Sequence, residues 1–243
     1  MDHQIQIKSC WTDAPSSEIR ADYTSLANTV FGTFVSDAYY KVKYEDNLYG
    51  PSLITVVYVD GKTAGTDVMW RNDIEGRQAY QTVDTCVLES FRGMGLFKKM
   101  TQYELDLLGR ETLVYGFPNA NSYPGYVKMG WHEQRLYKTL CRPQDGDKID
   151  DDYAAWWMKA QAGITHIQTT GTYYLIRKHG KSPLATLIGQ VDATTARQFP
   201  ETKGIWLLKR FNNKSSIYNK NKLIPLVCNR PKEEIPYWKI DAI

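Results

Sequence analysis

The first 140 residues alternate between stretches whose apolar positions recur every second residue and stretches in which they recur with helical spacing. The strand patterns cover residues 4–8, 52–59, 64–71, 79–88, 113–117 and 131–140. The Asp60-Gly61 pair favours a hairpin between the second and third of these strands. Helical patterns cover residues 15–30, 95–108 and 122–128, and residues 36–49 are expected to form a further short helix and a loop. The predicted order is βααβββαβαβ.

The helix predicted at residues 95–108 has an apolar stripe made of Leu96, Met100, Tyr103 and Leu107, and Gly109 is suited to end this helix. These four positions recur at three- and four-residue intervals, as on one face of an α-helix. We therefore expect this face to pack against the sheet.

The chain changes character after residue 140. Residues 141–152, CRPQDGDKIDDD, are polar and contain a proline, a glycine and several aspartates, which is typical of a linker. The sequence therefore predicts one domain at residues 1–140 and a β-rich domain at residues 153–243, which begins with a short helix around Trp156. The strands predicted in the second domain are residues 172–178, 184–191, 205–211, 223–228 and 237–240. The hairpin within residues 173–191 is similar to the one within residues 52–71. This indicates either a degenerate second half of similar plan or an unrelated β-rich cap.

Residues 87–97, VLESFRGMGLF, carry the most chemical information. A strand leads there into a turn with Arg92, Gly93 and Gly95, and then into a helix. The first N–H groups of a helix lack partners within it, the helix dipole is positive at that end, and glycines let a ligand approach the backbone. The pattern predicts an anion-binding cradle. Lys98 replaces the third glycine of a dinucleotide fingerprint, and no Gly-Lys-Ser/Thr follows as in a P-loop, so neither nucleotide motif fits.

Two motifs, in order, resemble the GNAT superfamily of acyl-CoA N-acyltransferases. Arg92 and Gly95 match its RxxGxG/A signature, with Phe97 where the signature has glycine or alanine. Residues 116–131, GFPNANSYPGYVKMGW, resemble its second hallmark, in which Asn119 ends a strand and Tyr126 begins a YxKxGF pattern. The resemblance covers residues 1–140. It implies an α/β (α+β) fold with a mixed, twisted sheet flanked by helices.

The resemblance also implies a site for acetyl-CoA as co-substrate, with no metal. The cradle amides would bind the pyrophosphate, and the pantetheine arm would fill a gap between the strands at residues 79–88 and 113–117. An amide near Val87 or Leu88 would polarise the thioester carbonyl. The residues implied to bind acetyl-CoA are Val87, Leu88, Arg92, Gly93, Met94, Gly95, Leu96, Phe97, Lys98 and Asn119.

Two residues are the main candidates for proton transfer. Tyr126 matches the general acid of the family, which protonates the leaving thiolate, although a tyrosine here can also simply pack the sheet. Asp84 is the first candidate for the base that deprotonates the incoming ammonium, because an ionised carboxylate in a central strand is costly unless it is used or paired. Glu89 is the second candidate, and water or a structural role for Asp84 are the alternatives. Regular strand alternation would place Asp84 and Cys86 on one face.

The function favoured by these features is transfer of an acetyl group to the amine of a small molecule. Residues 43–65, KYEDNLYGPSLITVVYVDGKTAG, resemble GNAT members associated with modifying amino sugars of surface polysaccharides. A nucleotide-linked amino sugar is therefore one candidate acceptor. The alternatives are an aminoacyl or peptidyl transferase with paired GNAT-like halves and a non-catalytic acyl-CoA sensor. Acyl chain length and oligomeric state are left open.

Composition limits the remaining classes. The apolar content of 42% suffices for a buried core. The net charge is +3, and its densest basic patch is residues 209–222, which match no nucleic-acid motif, so no nucleic-acid partner is expected. No signal-peptide pattern or membrane-spanning apolar run is present, so a cytoplasmic protein without a membrane partner is expected. The spacing of the four cysteines and four histidines favours neither a zinc site nor a disulfide scaffold.

Overall fold

The computed structural model describes residues 3–32, 35–180, 182–203, 207–212 and 223–231, together with residues 233, 235, 236 and 239. The chain forms two compact units: unit 1 comprises residues 1–133 and 225–235, and unit 2 comprises residues 134–224 and 236–243. Most of the basic patch predicted at residues 209–222 lies outside the described residues, as does most of the strand predicted at residues 237–240.

The elements of unit 1 confirm the order predicted for the first part of the chain. Its strands are β1 (Ile5–Trp11), β2 (Leu53–Val59), β3 (Lys62–Arg71), β4 (Ala79–Val87) and β5 (Leu113–Gly116). Its helices are α1 (Ser17–Phe31), α2 (Asp37–Tyr40), α3 (Leu96–Leu108) and α4 (Tyr123–Lys128). A π-helical turn, Lys41–Glu45, continues α2, and a 3-10 turn, Glu89–Phe91, follows β4. The predicted hairpin forms at Asp60 and Gly61, between β2 and β3.

The second part of the chain contributes six strands and two helices within the described residues. The strands are β6 (His132–Cys141), β7 (Ile164–Thr169), β8 (Thr172–Lys178), β9 (Leu184–Val191), β10 (Leu207–Asn212) and β11 (Leu223–Cys228). The helices are α5 (Asp151–Trp156) and α6 (Ala193–Ala196). Strand β7 was not predicted, because ITHIQT has only two strongly apolar positions and its polar residues do not alternate strictly with them.

The sheet of unit 1 is mixed. Strands β1 to β4 pair in chain order and antiparallel, and β4 pairs parallel with β5. The other edge of β5 pairs antiparallel with β11, where Val227 lies opposite Gly116. A strand from the end of the described chain therefore completes the sheet of unit 1 beside β5.

The sheet of unit 2 repeats these strand directions. Strands β7, β8 and β9 form an antiparallel meander, β9 pairs parallel with β10, and β10 pairs antiparallel with β6. This is the pattern of β2, β3, β4, β5 and β11. The predicted second half of similar plan is confirmed at the level of fold class, and each half takes its last strand from the other half of the sequence.

Helices cover both faces of the unit 1 sheet, which explains why every residue of β2 is buried. Val57 and Val59 pack with Leu96 and Met100 of α3. The Tyr58 hydroxyl, from the residue between them, donates to Asp22 of α1. Since successive side chains of a strand point to opposite faces, α1 and α3 lie on opposite sides of the sheet.

The buried face of α3 differs from its predicted apolar stripe. Leu96 and Met100 are buried as predicted, but the other buried residues of α3 are Thr101 and Glu104, while Leu107 is 49% exposed. Residues 96, 100 and 104 follow the four-residue spacing of one helix face. The second half of the predicted stripe was wrong at Leu107, because the buried face continues through Glu104, a polar residue that the apolar pattern passed over.

The segment predicted as a linker, residues 141–152, packs within unit 2. Ile149 is buried, its N–H donates to the Gln190 carbonyl, and the Asp147 carbonyl accepts from the Gln190 N–H. A 3-10 turn occupies Pro143–Asp145. The division into domains at residues 1–140 and 153–243 concerns independent folding, and it remains a prediction.

Candidate functional site

The predicted cradle is formed by the turn between β4 and α3. Gly93 and Gly95 adopt positive φ angles of 85° and 71°, which glycine reaches without strain, and a Cβ on either residue would meet only open space. Lys99 is the first residue of the helix whose N–H bonds back along the chain, to the Gly95 carbonyl. None of the N–H groups of residues 93–98 donates to an acceptor within the described part of the chain. The turn therefore presents free donors at the positive end of α3.

Beside the cradle, the sheet opens between β4 and β5. Their parallel pairing ends at Thr82 and Gly116, whereas β4 continues to Val87. The Leu88 N–H donates to the Ala64 carbonyl of β3. Because neighbouring residues of an antiparallel ladder point their N–H groups to opposite edges, the Val87 N–H points away from β3, towards the gap. Of the two amides predicted to polarise a thioester, that of Leu88 is thus already bonded, and that of Val87 faces the gap.

A cleft of about 440 Å³ joins the cradle to this gap. Four of the residues predicted to bind a cofactor line it: Val87, Arg92, Phe97 and Asn119. Other lining residues come from the end of α1 (Val30, Phe31), from β4 (Thr85, Cys86) and from the start of α4 (Asn121, Ser122, Gly125). The exposed guanidinium of Arg92 is the cationic group in this lining.

The other predicted cradle residues contribute backbone rather than side chains to this region. The Leu96 side chain is buried against the sheet, and Met94 is half-buried in the same apolar cluster. Lys98 is exposed on the first turn of α3. Since an amide donor does not depend on its own side chain, all three positions keep a free N–H.

Asn119 begins the turn that leads into α4. Its side-chain oxygen accepts from the N–H groups of Asn121 and Ser122, at 2.9 and 3.1 Å. The Asn119 side chain therefore caps this turn. Because Asn119 also lines the cleft, capping holds the residue at the mouth of the gap.

Phe97, the departure from the RxxGxG/A signature, fits against α4. Its ring packs edge-to-face on Tyr126, with centroids 4.9 Å apart. At Gly125 an added Cβ would lie 2.5 Å from the Phe97 ring. The large residue in α3 is therefore accommodated by a glycine in α4.

A β-bulge shapes the part of β4 that faces the cleft. Val83 pairs with Val68 and Cys86 with Thr66, so Asp84 and Thr85 together lie opposite Asp67. Asp84 has a φ of 52°, a left-handed conformation that is strained for a residue with a side chain. The extra residue shifts the alternation of β4, so Thr82 and Thr85 share a face, and their hydroxyl oxygens lie 3.2 Å apart. Thr85 bonds to Asp67 and Val87 packs with Leu96 of α3, whereas Asp84 bonds to Tyr23 of α1. Asp84 and Cys86 therefore share the α1 face, as predicted.

The carboxylate of Asp84 points towards α1 and the turn after α2. Its Oδ2 accepts hydrogen bonds from Tyr23, at 2.7 Å, and from Tyr44, at 2.6 Å, and lies 3.8 Å from the buried Lys43 Nζ. Burial, and then the charge of Asp84, raise the pKa of Tyr23 and Tyr44 well above the ordinary value, so both stay protonated donors. Asp84 does not line the cleft, and its side chain is 22% exposed. Glu89, the second candidate base, is exposed in the 3-10 turn.

Tyr126 lies at the inner end of the gap. Its side chain is buried between Phe97 and Trp131, and its hydroxyl is 2.7 Å from the Thr82 hydroxyl, at the last residue of β4 that pairs with β5. Burial, and then the charge of Asp67, raise the pKa of its phenol well above the ordinary value. Tyr126 is thus a neutral phenol directly behind the cleft-lining Ser122 and Gly125.

Two functional candidates were missed from the sequence: Asp67 of β3 and Glu104 of α3. Both are fully buried, and their carboxyl groups contact each other. Asp67 lies in the middle of the buried stretch of β3, residues 64–70, and Glu104 lies on the helix face of Leu96 and Met100. The signal that could have identified them is a carboxyl group at a position that the surrounding pattern marks as buried, since a charged residue in the core needs a partner.

Cys86 lines the cleft, but its thiol is held protonated. Burial raises the pKa of this thiol to about 12. A thiol is a much poorer nucleophile than a thiolate, so Cys86 contributes packing rather than nucleophilic chemistry to the cleft wall.

Within the described residues, no cluster of three or more His, Cys, Asp or Glu side chains has the geometry to hold a metal ion. In the same part of the chain, none of the helices combines the length and apolar character that crossing a membrane requires.

Comparison with known proteins gives structural matches only. No protein-family model matches the sequence, and no curated protein matches it. The structure is similar to a conserved protein of unknown function from Enterococcus faecalis V583, described as a probable N-acyltransferase, with a TM-score of 0.59 and 13% identity over 93% of this chain and 72% of that one. It is also similar to a GCN5-related N-acetyltransferase from Kribbella flavida, with a TM-score of 0.54 and 7% identity over 93% of this chain and 71% of that one.

At these identities the likeness concerns the fold. The chain has the fold of the GNAT superfamily, and both matches extend over the second half as well as the first. The fold predicted from the two motifs is therefore confirmed.

Proposed function

We propose that this protein is an acyl-CoA-dependent N-acyltransferase and that acetyl-CoA is its acyl donor. The observation that carries this proposal is the row of free N–H groups at residues 93–98, which opens on a cleft beside the unpaired part of β4. A diphosphate is the kind of anion that such a helix start binds. The amides of a pantetheine arm can bond to the free edge of β4 as a neighbouring strand would.

In this proposal the main binding roles are assigned to backbone N–H groups that have no acceptor within the described part of the chain. The amides of residues 93–98 hold the pyrophosphate, and Arg92 adds positive charge beside it. The Val87 N–H, which points into the gap, donates to the thioester carbonyl and stabilises the negative charge that develops there on attack. Asn119 positions the wall of the cleft at the start of α4.

Two residues would handle protons. Tyr126 protonates the sulfur as the thiolate leaves, which its neutral phenol at the inner end of the gap supports. Asp84 accepts a proton from the ammonium of the acceptor, since its side chain is the partly exposed carboxylate on the cleft-facing segment of β4. The acceptor is a small amine, and a nucleotide-linked amino sugar is the first candidate to test.

The test is release of the CoA thiol from acetyl-CoA in the presence of simple amines, amino acids, amino sugars and nucleotide-linked amino sugars. We expect the rate to rise above that of the acceptor-free reaction with one chemical class only, and the product of that class to gain one acetyl group by mass. Acetyl-CoA binding without turnover on any acceptor would favour the sensor alternative and overturn the proposed activity.

A further inference from the structure

The buried carboxyl groups of Asp67 and Glu104 form the most unusual polar cluster in unit 1. Both side chains are fully buried. Asp67 Oδ2 and both carboxyl oxygens of Glu104 have no ordinary hydrogen-bond partner within the described residues. Thr55 has a hydroxyl beside Glu104, but its geometry there is too long or too bent for an ordinary hydrogen bond. The two groups therefore face mainly each other.

Such a pair is stable only when it holds a proton. Two carboxylates in contact cannot both be ionised in an apolar interior, because desolvation and mutual repulsion both disfavour the second charge. Burial raises the pKa of Asp67 to about 6, although the interactions with Thr85, Glu104 and Thr82 oppose the rise. Burial, and then the charge of Asp67, raise the pKa of Glu104 well above its ordinary value. Near neutral pH one proton lies between Glu104 and Asp67.

A chain of hydroxyl groups connects this pair to the cleft. The Thr85 hydroxyl donates to Asp67 Oδ1 at 2.7 Å, and Thr85 lines the cleft. The Thr82 hydroxyl donates to the same oxygen at 3.1 Å, and the Tyr126 hydroxyl lies 2.7 Å from Thr82. With Thr82 donating to Asp67, Tyr126 must donate to Thr82. One arm of the network therefore reaches the cleft directly and the other ends at Tyr126.

We propose that Asp67 and Glu104 act as a proton relay, which takes up a proton from the cleft through Thr85 and returns one through Thr82 to Tyr126. This inference rests on the proposed acyl transfer. Asp67, Glu104, Thr82 and Thr85 are positioning residues. They act on the reacting atoms only indirectly, through Tyr126 or through the proton that Thr85 takes up from the cleft.

The proton balance of the relay follows the chemistry of the reaction. A primary ammonium loses two protons as it becomes an amide, and one proton must reach the sulfur. In the first step the amine nitrogen forms a C–N bond to the thioester carbonyl carbon, an N–H bond breaks, the proton passes through Thr85, and the pair holds two protons. In the second step the C–S bond breaks, Tyr126 protonates the sulfur, and the pair returns one proton to Tyr126 through Thr82. The other proton from nitrogen passes to Asp84 and from there to solvent, and the pair ends with the single proton it began with.

The groups around the pair leave it free to titrate in this range. Tyr126 from α4 and Cys86 from β4 interact electrostatically with Asp67, and burial holds both in their neutral forms. Asp84, further along β4, interacts with Cys86 as well and directs its own carboxylate to Tyr23 and Tyr44. Within the described residues, no basic side chain forms an ion pair with Asp67 or Glu104.

The kinetic test compares Thr85→Val with Thr66→Val. Both replace a hydroxyl in the sheet by a methyl group of similar size, but the Thr66 hydroxyl donates to the Thr55 carbonyl, outside the relay. We expect Thr85→Val to lower kcat by about 10-fold or more, the lower range of proton-transfer effects, with an unchanged Kd for acetyl-CoA. Thr85→Ser restores the hydroxyl and the rate, and Thr66→Val keeps the wild-type kcat. Equal kcat values for Thr85→Val and wild type would overturn the relay and leave the acyl-transfer proposal intact.

The pH profile provides a readout that a purely structural role would not change. As the pH falls through about 6, the pair gains its second proton from solvent and can take up no further one, so kcat falls on the acid side in the wild type. Asp67→Asn cannot accept a proton, and we expect it to have a low kcat without this acid limb. An acid limb that persists unchanged in Asp67→Asn would assign the titration to another group and contradict the relay.

Infrared spectroscopy of the ligand-free protein tests the pair without any assay of activity. We expect one protonated carboxylic acid at neutral pH in the wild type, and its loss in Glu104→Gln. Two ionised carboxylates at neutral pH would overturn the proposal. A protein with the shared proton that binds acetyl-CoA but transfers no acyl group would instead refute the proposed function, and with it the role of the pair in turnover.

Discussion

Tyr126 holds its phenol 2.7 Å from Thr82, at the point where β4 and β5 separate. In this position the hydroxyl can donate a proton to the leaving sulfur only from the inner end of the gap. We expect Tyr126→Phe to lower kcat about 10²-fold, the usual lower bound for loss of a general acid, with little change in the Kd for acetyl-CoA. Steady-state kinetics and calorimetry measure the two quantities. Equal turnover by both proteins would refute the general-acid role, and Tyr126 would then be a packing residue.

Asp84 combines a strained φ of 52° with two phenol donors. Asparagine tolerates the left-handed conformation and keeps an oxygen for Tyr23 and Tyr44, but it cannot accept a proton. We therefore expect Asp84→Asn to fold and bind acetyl-CoA like the wild type, while its kcat falls by about 10-fold or more. Unchanged kcat at saturating acceptor would show that Asp84 only ties β4 to α1 and the turn after α2.

At single residues, the sequence identified the groups that motifs mark and missed those that only packing defines. Gly93 and Gly95 could be predicted because an open turn before a helix requires their conformations. The bulge at Asp84 and Thr85 could not, since β4 has no local signal that two of its residues will lie opposite Asp67. For the same reason the Asp67 and Glu104 pair, which joins β3 to α3, was not predictable from either segment alone.

The contact between α3 and α4 depends on the size of two residues. A Cβ on Gly125 would lie 2.5 Å from the Phe97 ring, which also packs on Tyr126. We expect Gly125→Ala to lower the free energy of unfolding by about 1–3 kcal/mol, as overpacking usually does. Replacing Phe97 by Leu in the same chain should recover part of this loss, because the smaller side chain frees the space. Urea unfolding of the two single variants and the double variant measures the coupling, and additive effects would contradict the proposed contact.

Most elements were predictable because their patterns are local. The Asp60-Gly61 turn and the glycine cradle act within a few residues. The position of β11 was not, because strand pairing between residues 227 and 116 depends on contacts that lie far apart in the sequence. The second half of α3 was predicted with the wrong face because Glu104, a polar residue, takes a buried position there.

At the scale of the whole molecule, the acid pair links stability to pH. The native state keeps a proton on Asp67 up to a pH of about 6, whereas the unfolded chain releases it near 3.8. The native state is therefore favoured at low pH by this group, and the advantage is lost as pH rises through about 6 and, for Glu104, at higher pH still. We expect a variant with both Asp67→Asn and Glu104→Gln to gain stability relative to wild type as pH increases. Urea unfolding over this pH range measures the difference, and a pH-independent difference would contradict the assignment.

The pairing of β5 with β11 predicts how the chain divides. Leu226 and Val227 of β11 are fully buried in unit 1, and Val227 packs with Val114 and Tyr126. A fragment of residues 1–140 lacks this strand and exposes both the edge of β5 and the apolar surface beneath it. We expect the fragment to aggregate or to unfold without cooperativity, whereas the full chain unfolds cooperatively. A soluble fragment with a sharp unfolding transition would instead support the domain boundary predicted from the sequence.

The central claim is that free N–H groups after residue 92 bind the diphosphate of acetyl-CoA, and calorimetric titration tests it most directly. Gly95→Asp places a side chain and a negative charge in the cradle. Gly61→Asp is the matched control, because Gly61 also has a positive φ, of 75°, and open space around it, but lies in the hairpin between β2 and β3. We predict that the wild type and Gly61→Asp bind acetyl-CoA with the same Kd and that Gly95→Asp shows no measurable binding. Equal affinity for all three proteins would contradict the assignment of the cradle.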